Sequence, residues 1–124
     1  MNPQPRSRTI LLVDDDDDIR EVVSEVLTIR GYTVVAVANG LQALEWLEGR
    51  EEVCVILLDL MMPQMDGWEF RAHQLRDPEI ASIPVVVLTG AGPTAATTDS
   101  LDAAQVLLKP VDLATLTQAI ARYC

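Results

Sequence analysis

Asp14, Asp15, Asp59, Thr89 and Lys109 are the residues of this chain whose types, taken together, describe a reaction. Carboxylates brought close repel one another, and a hard divalent cation relieves that repulsion. Mg²⁺ suits a few carboxylates combined with water and phosphate oxygens; Mn²⁺ is a possible substitute. A carboxylate in such a cluster can attack phosphorus and become an acyl phosphate. The metal and a lysine ammonium would offset charge on the phosphoryl oxygens in the transition state. A threonine hydroxyl could donate a hydrogen bond to one of those oxygens once the group arrives. All of this requires that five residues scattered along the chain meet.

The elements around them predict that meeting. Thr9–Val13 is a continuous apolar run, the pattern of a strand buried on both faces, and Asp14 and Asp15 follow it. Val53–Leu58 is a second such run and stops at Asp59. Pro84–Leu88 is a third and ends at Thr89, and Ala104–Leu108 is a shorter one ending at Lys109. Thr33–Ala38 supplies one more strand. Between the strands, apolar residues recur at helical spacing: Ile19, Val22, Val23, Val26 and Leu27; Leu41, Leu44 and Leu47; Phe70 and Leu75; Leu113, Leu116, Ile120 and Tyr123. Asp16 or Asp17, Asn39, Asp66 and Asp112 stand where helix caps or turn residues would, and Gly31 where the first helix would stop. Gly90–Leu101 has two glycines, a proline and few apolar anchors, and reads as a short helix or mostly loop. Five strands alternating with helices predict an open α/β fold on a parallel sheet. In such sheets ligands bind beyond the carboxyl ends of the strands, where four of these polar features fall.

Composition narrows the function. The 124 residues make one domain, and 49% apolar content excludes global disorder. An output domain, if the protein has one, lies outside this sequence. Nineteen acidic residues against nine basic ones give a net charge of −10, with no basic stripe for direct nucleic-acid binding. The acidic balance suits a divalent cation as well as plain solubility. Met1–Arg8 has no apolar core of a signal peptide, and no stretch is long enough to cross a membrane, so a cytoplasmic location is expected. Cys54 and Cys124 make no disulfide framework and read as free thiols in a reducing compartment.

At this level the sequence resembles a known family. The segments ending Val13-Asp14-Asp15, Leu58-Asp59-Leu60-Met61-Met62-Pro63-Gln64-Met65-Asp66-Gly67, Leu88-Thr89-Gly90 and Leu108-Lys109-Pro110 look like the signatures of response-regulator receiver domains, in order and spacing. The resemblance spans essentially the whole chain and implies a single doubly wound, flavodoxin-like five-stranded sheet in order 2-1-3-4-5, with helices on both faces. Residues 1–8 would be a flexible arm and 9–124 the receiver domain. It implies Asp59 as phosphoacceptor, Asp15 touching the metal directly, Asp14 mainly through water, and the Met61 carbonyl completing the set. Thr89 and Lys109 would bind phosphoryl oxygens, with the Lys109–Pro110 bond cis, and Pro63 and Gly67 would shape the loop beside the acceptor. A histidine kinase or histidine phosphotransfer protein would be the donor, to a monomer or a phosphorylation-dependent dimer, and the downstream target is open. Two departures stand out. Val106 occupies the position where the family usually carries Tyr or Phe, and the segment between Thr89 and Lys109 is short. The signal would then pass through residues 90–103.

Other readings weigh less. Asp14, Asp16 and Asp18 match part of an EF-hand loop, but Ile19 stands where that loop needs Gly, and a strand precedes it instead of a helix. Asp14-x-Asp16 after a buried strand resembles the nucleophile motif of haloacid-dehalogenase-type phosphatases, without a later acidic pair for the metal. A small metal-dependent phosphatase is therefore one alternative; a degenerate receiver serving only as a protein-binding module is another. His73 reads as a lone surface histidine, and Trp46, Trp68 and Phe70 as packing residues.

Overall fold

The computed structural model describes residues 8–48, 52–90 and 101–124. Residues 1–7 of the arm and residues 91–100 of the segment after Thr89 lie outside the described residues. Five strands, β1 (Thr9–Val13), β2 (Thr33–Val37), β3 (Val53–Asp59), β4 (Val85–Thr89) and β5 (Gln105–Leu108), form one sheet. All neighbours pair in parallel and the order is β2-β1-β3-β4-β5, as expected. Four helices are present among the described residues: α1 (Asp17–Ile29), α2 (Gly40–Leu47), α3 (Gly67–Arg76) and α4 (Leu113–Ala121).

The apolar runs are continuous because the central strands are covered twice. Leu11, Val13, Ile56, Leu58, Val85 and Val87 face a layer that includes Ala43 and Leu47 of α2 and Phe70 of α3. Ile10, Leu12, Val55, Leu57, Val86 and Leu88 face the other layer, with Val23 and Leu27 of α1 and Leu116, Ala119 and Ile120 of α4. A parallel sheet wound by helices on both sides leaves no polar face on its inner strands.

Helix starts follow the expected side chains. Asp16 accepts from the Asp18 and Ile19 amides, Asn39 from Gln42, Asp66 from Glu69 and Asp112 from Thr115. Each satisfies amide donors that a helix N-terminus leaves open. Past the end of α1, Gly31 takes φ +94°, a left-handed conformation that costs glycine little.

Three expectations are corrected. Arg8, read as part of a flexible arm, is tied down: its carbonyl accepts from the Thr33 amide at 2.9 Å, and its guanidinium lies 4.4 Å from the centre of the Tyr32 ring. In α3 the buried positions include Arg71 and Gln74, while Leu75 is exposed. Arg71 donates to the Leu101 and Asp102 carbonyls and to Gln74, whose amide donates to the Ile80 and Ile83 carbonyls. The helix is thus buried partly through a polar network that periodicity of apolar residues does not register. Finally, Cys54 and Cys124 are not free thiols but form a disulfide across 70 positions of sequence, with Cα atoms 5.4 Å apart. The pairing of β1 with β3 slips between Thr9–Val53 and Ile10–Val55. Strict alternation would set Cys54 with Ile56 and Leu58, but it packs with Val55 and Leu57 on the α4 side, where Cys124 lies.

Candidate functional site

The parallel register carries the reactive residues to one sheet edge. Val13 pairs with Leu58, Asp59 with Leu88 and Thr89 with Leu108, so Asp14, Asp59, Thr89 and Lys109 sit side by side at the strands' carboxyl ends. The Asp14 amide donates to the Val37 carbonyl at 3.1 Å, and the Lys109 amide to the Thr89 carbonyl at 2.8 Å. Each strand thereby extends its pairing by one step to hold its polar residue. The Lys109–Pro110 bond is cis.

Asp14 is fully buried, and Asp59 and Thr89 are nearly so. Lys109 Nζ lies 2.8 Å from Asp14 Oδ2 and 3.4 Å from Asp59 Oδ1. Asp14 Oδ1 accepts from the Asp16 amide at 2.9 Å, and Asp59 Oδ1 from the Met61 amide at 3.4 Å. One carboxylate oxygen each from Asp14, Asp15 and Asp59 lies within 4.8 Å of the others, and Asp15 is exposed to solvent at the mouth of this cluster. Three carboxylates therefore face one ammonium. Burial, and then the Asp14 charge, push the Asp59 carboxyl up to about 6, against the pull of Lys109 and the Met61 amide. Burial lowers the Lys109 pKa, but contact with Asp14 and Asp59 outweighs it and the net shift is upward. Excess negative charge, an open side at Asp15 and oxygen ligands at this spacing fit a hard divalent cation.

The loop after Asp59 is held close. The Gly67 amide donates to the Leu60 carbonyl at 2.9 Å, and a Cβ on Gly67 would meet the Asp59 carbonyl oxygen at 2.7 Å and Leu60 Cα at 2.8 Å. Glycine is what allows α3 to start against the strand end that carries Asp59. The backbone turns at Gln64, with φ 68°, just after Pro63.

The structure sets Asp14, Asp15, Asp59 and Lys109 together and places Thr89 beside them at the sheet edge; two residues that the sequence reading did not single out hold the elements around them. Arg20 Nη1 donates to the Asp14 carbonyl at 2.7 Å, so the first turns of α1 grip the strand end. Arg71 ties α3 to the backbone just before β5. The hint for Arg20 lay in its place one turn into a helix that leaves the site; for Arg71 no sequence signal existed. His73 is exposed on α3, Phe70 is fully buried, Trp46 packs on the core, and Val106 is partly buried against the α2–α3 layer.

Fold and site together define a doubly wound α/β domain with an acidic, lysine-bridged pocket at its topological switch point. Residues 10–121 match the response regulator receiver domain family, and the chain belongs to that family. It is 38% identical over 114 residues to the transcriptional regulatory protein GlrR of Escherichia coli, covering 90% of this chain and 25% of that protein. It is 39% identical over 83 residues to a CpxR homolog of Haemophilus influenzae, covering 67% of this chain and 34% of that one. The chain thus spans about a third or less of these two relatives. Among solved structures, chemotaxis protein CheY4 of Vibrio cholerae superposes with TM-score 0.86 at 29% identity, over 97% of this chain and 100% of that one. The receiver domain of sensor histidine kinase PA1611 from Pseudomonas aeruginosa, solved with magnesium in its active-site cleft, superposes with TM-score 0.83 at 28% identity, over 94% of this chain and 97% of that one. The protein is a receiver domain of the two-component response-regulator type.

Proposed function

We propose that this receiver domain accepts a phosphoryl group on Asp59 from a phosphohistidine of a histidine kinase or phosphotransfer protein. The observation that carries the reading is the Lys109 ammonium set between Asp14 and Asp59 in the buried acidic pocket. With its pKa at about 6, Asp59 is mostly ionised at neutral pH and available as a nucleophile. Its carboxylate oxygen attacks phosphorus, the P–N bond to the donor imidazole breaks, and the imidazole leaves with a proton from solvent. Lys109, already oriented by Asp14, stands ready for a phosphoryl oxygen, and the Thr89 hydroxyl for another.

Asp14, Asp15 and Asp59, with the Met61 carbonyl, are the residues that would hold Mg²⁺, with Mn²⁺ as a substitute. The ion would supply charge neutralisation for the phosphoryl oxygens. The same site would hydrolyse its own acyl phosphate slowly, so the domain takes part in phosphotransfer without being an enzyme in the ordinary sense. Asp14 is a poor candidate for the nucleophile of a phosphatase, since its oxygens are engaged by the Asp16 amide and Lys109.

The domain works in the cytoplasm, as a monomer or a phosphorylation-dependent dimer. It contacts proteins and not nucleic acid, any DNA-binding activity of its transcriptional relatives belonging to the rest of those longer chains. Among the described residues no helix is long and apolar enough to cross a membrane.

Incubation with Mg²⁺ and acetyl phosphate, followed by intact mass, tests the assignment. One phosphoryl group should add, and none to Asp59→Asn. Labelling that survives in Asp59→Asn and vanishes in Asp14→Asn would move the nucleophile to Asp14. No labelling of the intact domain would favour a module that only binds proteins.

A further inference from the structure

The disulfide lies at the end of the molecule opposite to the acidic pocket. Cys54 is the second residue of β3, and Asp59 ends that strand; Cys124 follows α4 by three residues. α4 is therefore held twice. Its start follows Lys109, which is ion-paired to Asp14 and Asp59, and its Asp112 cap. Its far end is bonded to β3. The two sulfurs differ in access: Cys54 is 7% exposed, whereas Cys124 is partly open to solvent. Cys54 Sγ also lies 3.3 Å from the Thr9 carbonyl oxygen, an acceptor already in place for a thiol. The last turn keeps its own hydrogen bonds, from the Tyr123 and Cys124 amides to the Ile120 carbonyl. Leu116, Ala119 and Ile120 of α4 are buried in the apolar layer on that side of the sheet. A folded structure is therefore expected for the reduced chain as well, held by these contacts.

We propose that Cys54 and Cys124 are a reversible redox modification site, a clasp that fastens the end of α4 to β3 and that glutathione-type thiols open. A thiolate attacks the accessible Cys124 sulfur, the S–S bond breaks, and Cys54 leaves as a thiolate. Cys54 takes a proton from solvent and donates to the Thr9 carbonyl. A second thiolate then attacks the glutathione sulfur of the mixed disulfide, which frees Cys124. The protein gains two electrons and two protons, and two glutathiones become one glutathione disulfide. Closing is the reverse, with glutathione disulfide as oxidant. That the bond meets such thiols rests on the cytoplasmic placement proposed above, where disulfides are usually transient or redox-sensing. Exchange in the test tube does not depend on that placement, so the two can fail separately.

The test equilibrates the full chain in buffers of varied reduced-to-oxidised glutathione ratio, alkylates it with N-ethylmaleimide and measures intact mass. Adducts should rise from none to two as the ratio rises, with both cysteines changing together, and fall again on return to oxidised glutathione. The oxidised form should melt higher by on the order of 10 °C, because closing so long a loop restricts the unfolded chain. Cys124→Ser should melt at one temperature in both buffers. Hydrogen exchange on reduction should quicken at residues 119–124 and not in β1 or β4. Two adducts in every buffer would overturn the proposal, since no bond forms. So would no adducts in reduced glutathione until the chain is denatured, which describes a permanent crosslink. A disulfide-linked dimer on a non-reducing gel would also overturn it, since the partner sulfur would be on a second chain.

Discussion

Lys109 Nζ is 2.8 Å from Asp14 and 3.4 Å from Asp59, so one ammonium at the end of β5 bridges the carboxylates that end β1 and β3. Asp14 is wholly buried, and among the described residues Lys109 is the only cation paired with its carboxylate. Removing one member of a buried pair leaves the other charge uncompensated. Lys109→Met should therefore destabilise the metal-free domain by about 3 kcal/mol. Adding Asp14→Asn should recover part of that loss, because the stranded charge goes with it. Urea denaturation of the two single variants and the double variant checks this. Simple additivity would mean the pair is not coupled.

The Asp59 carboxyl, raised from 3.8 to about 6, binds its proton more tightly folded than unfolded. Its contribution to stability is therefore full below about pH 4 and is lost as pH rises through about 6, by at most about 3 kcal/mol. In metal-free protein, stability attributable to Asp59 should fall across that window, and Asp59→Asn should flatten the fall. Mg²⁺ should flatten it too, by favouring the ionised form. Denaturation midpoints measured at intervals from pH 4 to 7 separate these outcomes from a pH dependence spread over the nineteen acidic residues.

Mg²⁺ should raise the melting temperature by mass action, since only the folded chain gathers the carboxylates. Asp15→Ala should remove much of that rise, because Asp15 belongs to the cluster within 4.8 Å. Asp18→Ala should not, because Asp18 lies in the first turn of α1 and outside that cluster. Equal losses in the two variants would mean that the aspartate run attracts ions diffusely.

Gly67→Ala would press a methyl against backbone atoms of Asp59 and Leu60, neither of which can swing aside. A cost of about 1–3 kcal/mol is expected, with slower phosphorylation because α3 and the loop beside Asp59 must shift. At Gly90 an added Cβ meets nothing within 4 Å among the described residues, so Gly90→Ala should be close to neutral. Calorimetry and acetyl phosphate labelling of both variants read the contrast.

Arg71→Met keeps the apolar stem but strips the donors from the Leu101 and Asp102 carbonyls and from Gln74. Loss of about 2–3 kcal/mol should follow, with faster hydrogen exchange in β5 than in β1. Uniform exchange across the sheet would mean that Arg71 does not specifically hold the entry to β5.

The sheet and its reactive edge were legible in the sequence for a local reason. Short apolar runs such as Val53–Leu58, rich in β-branched residues and bounded by polar ones, suit strands covered on both faces, and Asp14, Asp59, Thr89 and Lys109 each follow such a run directly. Once parallel pairing is granted, strand ends share an edge and the residues must meet. Helix caps at Asp16, Asn39, Asp66 and Asp112 were legible too, because a cap acts within three residues of itself. What the tertiary structure alone decided involves partners distant along the chain. Burial of Arg71 and Gln74 depends on carbonyls supplied by the turns before β4 and β5, which no helical periodicity encodes. Pairing of Cys54 with Cys124 depends on a slip in register that turns Cys54 toward the α4 layer, and on α4 ending beside β3. A one-residue slip reverses which face a side chain occupies, and a pattern of alternating residues is blind to it until the neighbouring strand is in place.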